Sequence, residues 1–252
     1  NTCIACNQAC LDHIFNGKLT SCLVNPLACH ETTLKIAKAE FPKKVAIVGA
    51  GPAGMACATT AAERGHDVTL FEASDRIGGQ FNIARQIPGK DDFNETLRYF
   101  GKRIERTGVK LRLNTRADAG TLKAEGFDHV VLATGIVPRK PPIPGIESDK
   151  VATYLDIIEG RKVAGQSVAI IGAGGIGFDV GEFLTHAHDE RSEAERFNAE
   201  WGIDPSYANR GGLKPAVDEK APRRVFLLQR KESKVGDGLA KTTGWIRRTL
   251  LK

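Results

Sequence analysis

The apolar positions of this chain fall into short runs separated by glycine-rich turns. The stretch KKVAIVGAGPAGMACATTAAERGHDVTLFEA begins with a continuous apolar run, passes through three glycines into a helix of small residues, and ends in a second apolar run. This order reads as buried strand, glycine turn, helix and second strand. The same grammar returns about 120 residues later at QSVAIIGAGGIGFDVGEFL, from Gln166 to Leu184, as a repeat of architecture rather than of sequence. Between the two lie a predicted helix over Asp91 to Thr107 and predicted strands at VKLRLN and DHVVLATG. The second motif is followed by a charged helix in HDERSEAERFNAEWG, a Gly/Pro-rich loop to Pro222 and a strand at RRVFLLQRK. That insertion is long for a βαβ unit, although loops on such scaffolds accept insertions. Residues 1–40 read as a cysteine-bearing loop region with one helical stretch, Leu34 to Glu40. The expected organisation is therefore α/β, with segments 1–40, 41–145 and 146–252.

Composition narrows the class. With 41% hydrophobic and 26% charged residues the chain can bury a globular core. No apolar run reaches the 18 residues of a membrane span, and no signal peptide precedes the first strand, so the expectation is a cytoplasmic protein with no membrane partner. The net charge of +6 is scattered and not interleaved with aromatics, which argues against nucleic acid and for small anionic ligands. The one methionine, Met55, lies inside a glycine motif, so the polypeptide is expected to be processed or part of something longer.

The glycines carry the first chemistry. Gly49, Gly51 and Gly54, with Pro52 between them, follow a strand and open a helix. They are suited in turn to a tight turn, close approach of a pyrophosphate and close helix packing. The helix N-terminus adds N–H groups and partial positive charge. Glu72, ending the next strand, can accept from ribose hydroxyls. Gly78 and Gly79 allow backbone to approach a ligand that Gln80 could contact, and LATG, with Thr134 and Gly135, closes a strand on small residues. In the second motif Gly172, Gly174 and Gly177 are followed by a strand ending in Arg230 and Lys231 instead of an acid, which suits the 2′-phosphate of NADP; ordinary solvated charges are the plain alternative. A tightly held flavin in the first unit and an exchangeable nicotinamide in the second fit this difference.

Four cysteines, Cys3, Cys6, Cys10 and Cys22, open the chain with C-x2-C-x3-C-x11-C spacing. Four thiolates suit an iron-sulfur cluster, and zinc is the chemical alternative; a disulfide framework lacks a secretory context. Cys29 and Cys57 read as packing residues. His13, His30, His66 and His129 read as packing or turn residues, and His186 and His188 as members of an exposed charged segment. GDGLAKTTG lacks the spacing of a P-loop, while Lys241 to Trp245 either line a cleft or simply pack.

CIACNQACLDHIF, SCLVNPLACHE, VAIVGAGPAGMACA, EASDRIGGQFNIARQIPGK, LATGIVPR, AIIGAGGIGFD and LAKTTGWI together resemble the NADPH-dependent 2,4-dienoyl-CoA reductase family, in the region after its flavin barrel. That family is related to trimethylamine dehydrogenase. The resemblance covers essentially the whole chain and implies two Rossmann-like domains of the pyridine nucleotide-disulfide oxidoreductase type behind a cysteine-rich cluster-binding segment. It further implies an electron path in fatty acid β-oxidation from NADPH to FAD, to a 4Fe-4S cluster held by Cys3, Cys6, Cys10 and Cys22, and on to FMN in an N-terminal barrel. Neither that barrel nor the family's C-terminal completion is in this sequence, so the chain alone is expected to bind FAD weakly and not to reduce an enoyl thioester. Two other readings are open: the electron-transfer part of a trimethylamine-dehydrogenase-like or glutamate-synthase-like flavoprotein, and a zinc-stabilised nucleotide-binding interaction module.

Overall fold

The computed structural model describes residues 1–186, 191–217 and 220–251. Strands β1 (Lys44–Val48), β2 (Asp67–Phe71), β3 (Lys110–Arg112) and β4 (His129–Leu132) form one parallel sheet in the order β3-β2-β1-β4. Strands β5 (Ser167–Ile171) and β6 (Arg224–Leu228) form a second parallel pair. Helices, in chain order, are α1 (Leu11–Phe15), α2 (Pro52–Glu63), α3 (Phe81–Ala84), α4 (Phe93–Thr107), α5 (Ala119–Ala124), α6 (Tyr154–Ile158), α7 (Gly175–Thr185), α8 (Glu193–Glu200) and α9 (Gly244–Leu250). Each glycine motif thus lies in a strand–helix–strand unit, α2 crossing from β1 to β2 and α7 standing between β5 and β6, which is the Rossmann-type arrangement.

The first core explains the sequence around Gly49. Val45, Ile47, Met55, Ala58, Val68, Leu70 and Ile104 are buried together, with Cys57, Ala61 and Ala62 packed at the margin. A strand covered on both faces needs a nearly continuous apolar run, and VAIV supplies it. The alanines of α2 bring its axis close to the sheet. Cys57 is the packing residue expected of it, and burial raises its thiol pKa.

A second apolar cluster joins Ile87, between α3 and α4, to Ile158, Val180 and Leu184. Beside it Lys90 Nζ lies 2.7 Å from Asp179, whose other oxygen is 2.5 Å from Arg247; Arg247 also reaches Glu182 at 3.4 Å. Two cations and two carboxylates on α7, α9 and the loop before α4 thereby tie the two sheets together. Burial raises the Glu182 pKa, against the opposing pull of Arg247.

Several expectations need correction. Leu34 to Glu40 forms no helix: Leu34 and Ile36 are exposed, and the backbone N–H of Ala39 donates to Arg64 O at 2.8 Å. A seven-residue helix with no buried face lacks the packing that stabilises short helices. The helix of this region is instead α1, whose Asp12 is buried and accepts from both the backbone N–H and the hydroxyl of Thr242, at 3.0 and 2.9 Å. The charged helix is shorter than expected, beginning after Ser192, which forms a capping box with Glu195. His186 is half-buried with its Nε2 2.6 Å from Arg196 Nη1, not a solvated residue, and His188 lies outside the described residues. Among the described residues no helix is long and apolar enough to cross a membrane.

Replacing Asp179 by Ala leaves Lys90 and Arg247 without their shared carboxylate. Loss of about 2 kcal/mol in urea denaturation is expected from charge-assisted hydrogen bonds of this kind, together with faster proteolysis between the two sheets. Unchanged denaturation would show the ion cluster to be incidental.

Candidate nucleotide sites

The first site assembles at the carboxyl ends of β1, β2 and β4, where the strand order reverses and a crevice opens in doubly wound sheets. Gly49 adopts φ +105°, a conformation that disfavours side chains, and a Cβ there would stand 2.3 Å from Ala133 O. A Cβ on Gly54 would collide with Gly49 O at 1.8 Å, so only glycine lets α2 close onto the turn. Gly51, the N-cap of α2, meets nothing within 4 Å, leaving open space in front of the helix N-terminus, with Pro52 at the first helical position. These three surroundings fit a pyrophosphate held by backbone N–H groups.

Loops from three directions frame that opening. Gly78 N donates to Ala50 O at 2.8 Å, and a Cβ on Gly79 would lie 3.2 Å from the Gly51 Cα. Gln80 does not simply project outward: its Nε2 donates to Ile136 O at 2.7 Å and its Oε1 accepts from Tyr154 Oη at 3.0 Å. Thr134 and the positive-φ Gly135 are exposed on the loop that Gln80 reaches. Glu72 Oε2 accepts from Ala50 N at 2.8 Å, while Oε1 accepts from the Ser74 N–H and hydroxyl, both at 2.9 Å. Partial burial works against ionisation, but the Ser74 and Ala50 N–H groups prevail and hold this carboxyl below its ordinary range. Both lone pairs of Oε1 are taken by Ser74, while Oε2 keeps one site for a further donor.

The second unit repeats the approach of helix to turn, although a Cβ on Gly172 would meet nothing within 4 Å where one on Gly49 meets Ala133. Gly172 has φ +128°, Gly174 is the N-cap of α7 with nothing within 4 Å, and a Cβ on Gly177 would again lie 1.8 Å from the Gly172 oxygen. Register makes the comparison exact to the residue: Val48 pairs with Phe71 and Ile171 with Leu228, so Gln229 occupies the place of Glu72. Arg230 and Lys231 follow, exposed, in a turn where Gln229 Nε2 donates to the carbonyls of Lys231, at 2.9 Å, and Ser233. Neither cation forms an ion pair among the described residues. Lys241 to Trp245 contact α1 through Thr242 and through Lys241 Nζ, 3.4 Å from Phe15 O, and Trp245 is exposed.

The expected cluster site is overturned. Cys3 is exposed, Cys6, Cys10 and Cys22 are half-buried, and all are free thiols. Among the described residues no group of three or more His, Cys, Asp or Glu side chains converges so as to hold a metal ion, as a four-thiolate centre requires. The segment is organised differently: Cys10 precedes α1, Cys3 Sγ accepts from Ala5 N at 3.4 Å, and Cys22 lines a cleft of 720 Å³ with His13, Pro26 and His30. The cluster-binding segment, the 4Fe-4S cofactor and the zinc alternative are all withdrawn on this ground.

Gly51→Ala should leave the melting temperature unchanged but weaken nucleotide binding at least tenfold, because its Cβ enters only the open space. Gly54→Ala should instead destabilise the fold, since backbone cannot yield to a 1.8 Å approach; calorimetry with and without nucleotide separates the two. Glu72→Gln has a pH signature. A carboxyl held below its unfolded value contributes stability above about pH 4.3 and loses it as pH falls through the lower folded value. The stability gap between wild type and the variant should be full at pH 7 and shrink under acid; a gap that does not change with pH would contradict it.

Residues 43–199 match the pyridine nucleotide-disulphide oxidoreductase family. A metal reductase of Desulforamulus reducens is 40% identical over 199 residues, covering 77% of this chain and 30% of that protein. An N,N-dimethylglycine/sarcosine dehydrogenase of Chromohalobacter salexigens is 39% identical over 178 residues, covering 67% of this chain and 26% of that protein. Among solved structures, 2-naphthoyl-CoA reductase superposes with a TM-score of 0.71 at 32% identity, over 96% of this chain and 41% of that one. The chain therefore spans less than half the length of these relatives, whose names do not single out a dienoyl thioester. The repeated glycine turns and the family match lead to one statement: this chain belongs to the pyridine nucleotide-disulphide oxidoreductases, a family of FAD- and NAD(P)-dependent enzymes.

Proposed function

We propose that this chain is the nucleotide-binding electron-transfer module of a larger flavoprotein oxidoreductase of the trimethylamine-dehydrogenase-like kind, with FAD in the first unit and NADPH in the second. Segments 41–145 and 146–252 are the two nucleotide domains in this reading. The observation that carries it is the contrast between two glycine turns with the same helix approach: one is followed by the carboxylate of Glu72, the other by Gln229, Arg230 and Lys231. An acid suits a ribose with free hydroxyls and repels a 2′-phosphate; an exposed guanidinium pairs with that phosphate. The relatives support a module role, since their names join metals, methylated amines and an aryl thioester to one shared portion of chain. A substrate site would not be what such proteins share.

Each residue then has a physical task. The N–H groups at the start of α2, behind Gly51 and Pro52, hold the FAD pyrophosphate, and Gly54 lets the helix close behind them. Glu72 accepts from the ribose, while Gly79, Gln80, Thr134 and Gly135 border the bound group. Gly172, Gly174 and Gly177 hold NADPH in the same manner, with Arg230 and Lys231 on its phosphate. A bound flavin supplies a ring that accepts hydride and can release electrons one at a time.

The test is an anaerobic titration of the FAD-loaded chain with NADPH and NADH, read by bleaching of the flavin absorbance. NADPH should bind more tightly, and Arg230→Ala with Lys231→Ala should weaken it about tenfold, roughly 1.4 kcal/mol, while sparing NADH. Equal loss for both nucleotides would show that the strand end does not read the phosphate. A chain that takes up no flavin would overturn the module itself.

A further inference from the structure

Tyr154 has no place in the glycine motifs, yet it lies at the end of a short relay that crosses the first site. Its hydroxyl is 3.0 Å from Gln80 Oε1, and Gln80 Nε2 is 2.7 Å from Ile136 O. The direction of this relay follows from chemistry alone. Ile136 O is a carbonyl and can only accept, so Gln80 must turn its amide nitrogen toward it. The amide oxygen then faces Tyr154, and the phenol must donate. Burial, with the charge of Glu159 behind it, raises the Tyr154 pKa and keeps that proton in place.

The two ends of the relay rest on different elements. Tyr154 is the first residue of α6, fixed by a capping box in which the Thr153 hydroxyl accepts from Asp156 N and the Asp156 carboxylate accepts from Thr153 N. Its ring packs on the apolar cluster of Ile87, Ile158 and Val180. Ile136 belongs to the loop beyond β4, whose Ala133 carbonyl crowds Gly49. Gln80 follows Gly79, which is packed over Gly51. With the amide held at both ends, one N–H of Gln80 has no partner among the described residues.

We infer that Tyr154 is a positioning residue for the first nucleotide site: by donating to Gln80 it fixes the orientation of that amide, which ties the 78–80 loop to the 134–136 loop and presents the second Gln80 N–H to the bound nucleotide. The inference rests on FAD being the ligand of the first unit. Without the phenol proton, Gln80 is free to rotate and the loops on either side of Gly51 lose their tie.

The experiment is a double-mutant cycle on FAD affinity in the full chain, measured by quenching of flavin fluorescence, with melting temperatures taken in the absence of FAD. Tyr154→Phe keeps the ring in its apolar contacts and removes only the donor. It should weaken FAD about fivefold, the effect of one net hydrogen bond, with little change in melting temperature. Gln80→Met should weaken FAD at least as much, and adding Tyr154→Phe to it should cost nothing further. Tyr154→Phe with wild-type affinity, or losses that multiply in the double variant, would overturn the positioning role. A wild-type chain that binds no FAD would overturn the flavin reading and this inference with it; retained FAD with an uncoupled cycle overturns the inference alone.

Discussion

The structure depends on the approach of a helix to the turn that precedes it. In both units a carbonyl oxygen stands 1.8 Å from the point where a side chain on the helix would begin. The approach is possible only because Gly54 and Gly177 have no such atom, and everything at the two sites follows from it. The helix axis drops onto the sheet, its first N–H groups face the crevice at the strand ends, and the residue at the N-cap is left in open space. The alanines of α2 belong to the same constraint, since larger side chains would lift the helix off β1 and β2.

Against this common frame the two units diverge in their charges. Glu72 is embedded in its own loop, taking N–H donors from Ala50 and Ser74, so the carboxylate shapes the turn at the strand end. Gln229 does comparable shaping work with the opposite polarity, donating to the Lys231 and Ser233 carbonyls and leaving two cations exposed beyond it. One side chain thus shapes the turn at each strand end, and the charge exposed there differs in sign between the two units.

What was legible in the sequence was what depends on local pattern. VAIV and VAII could be read as buried strands, and GAGPAG and GAGGIG as turns into helices, because strand burial and glycine sterics act over a few residues. The strand RRVFLLQRK could be read as well, but the long insertion before it obscured its parallel pairing with β5. Contacts distant in sequence were not. Tyr154 lies 74 residues from Gln80 and carries no motif. Asp12 carries no local signal among four cysteines whose spacing suggests a metal centre that the folded segment does not assemble. The helix expected over Leu34 to Glu40 failed for the same reason: composition favoured it, but no surface was available to bury its apolar side.

The contact of Asp12 with Thr242 has a topological meaning. It joins residues 230 positions apart, so the path from α1 through both sheets to α9 returns to its starting point and the polypeptide forms a ring clasped by two hydrogen bonds. Loop-closure entropy grows only logarithmically with length, so so large a ring costs little more to close than a much smaller one. Its effect lies in connectivity. A displacement of α9 reaches α1 directly, through a buried carboxylate, without passing along the 230-residue route that the covalent chain provides.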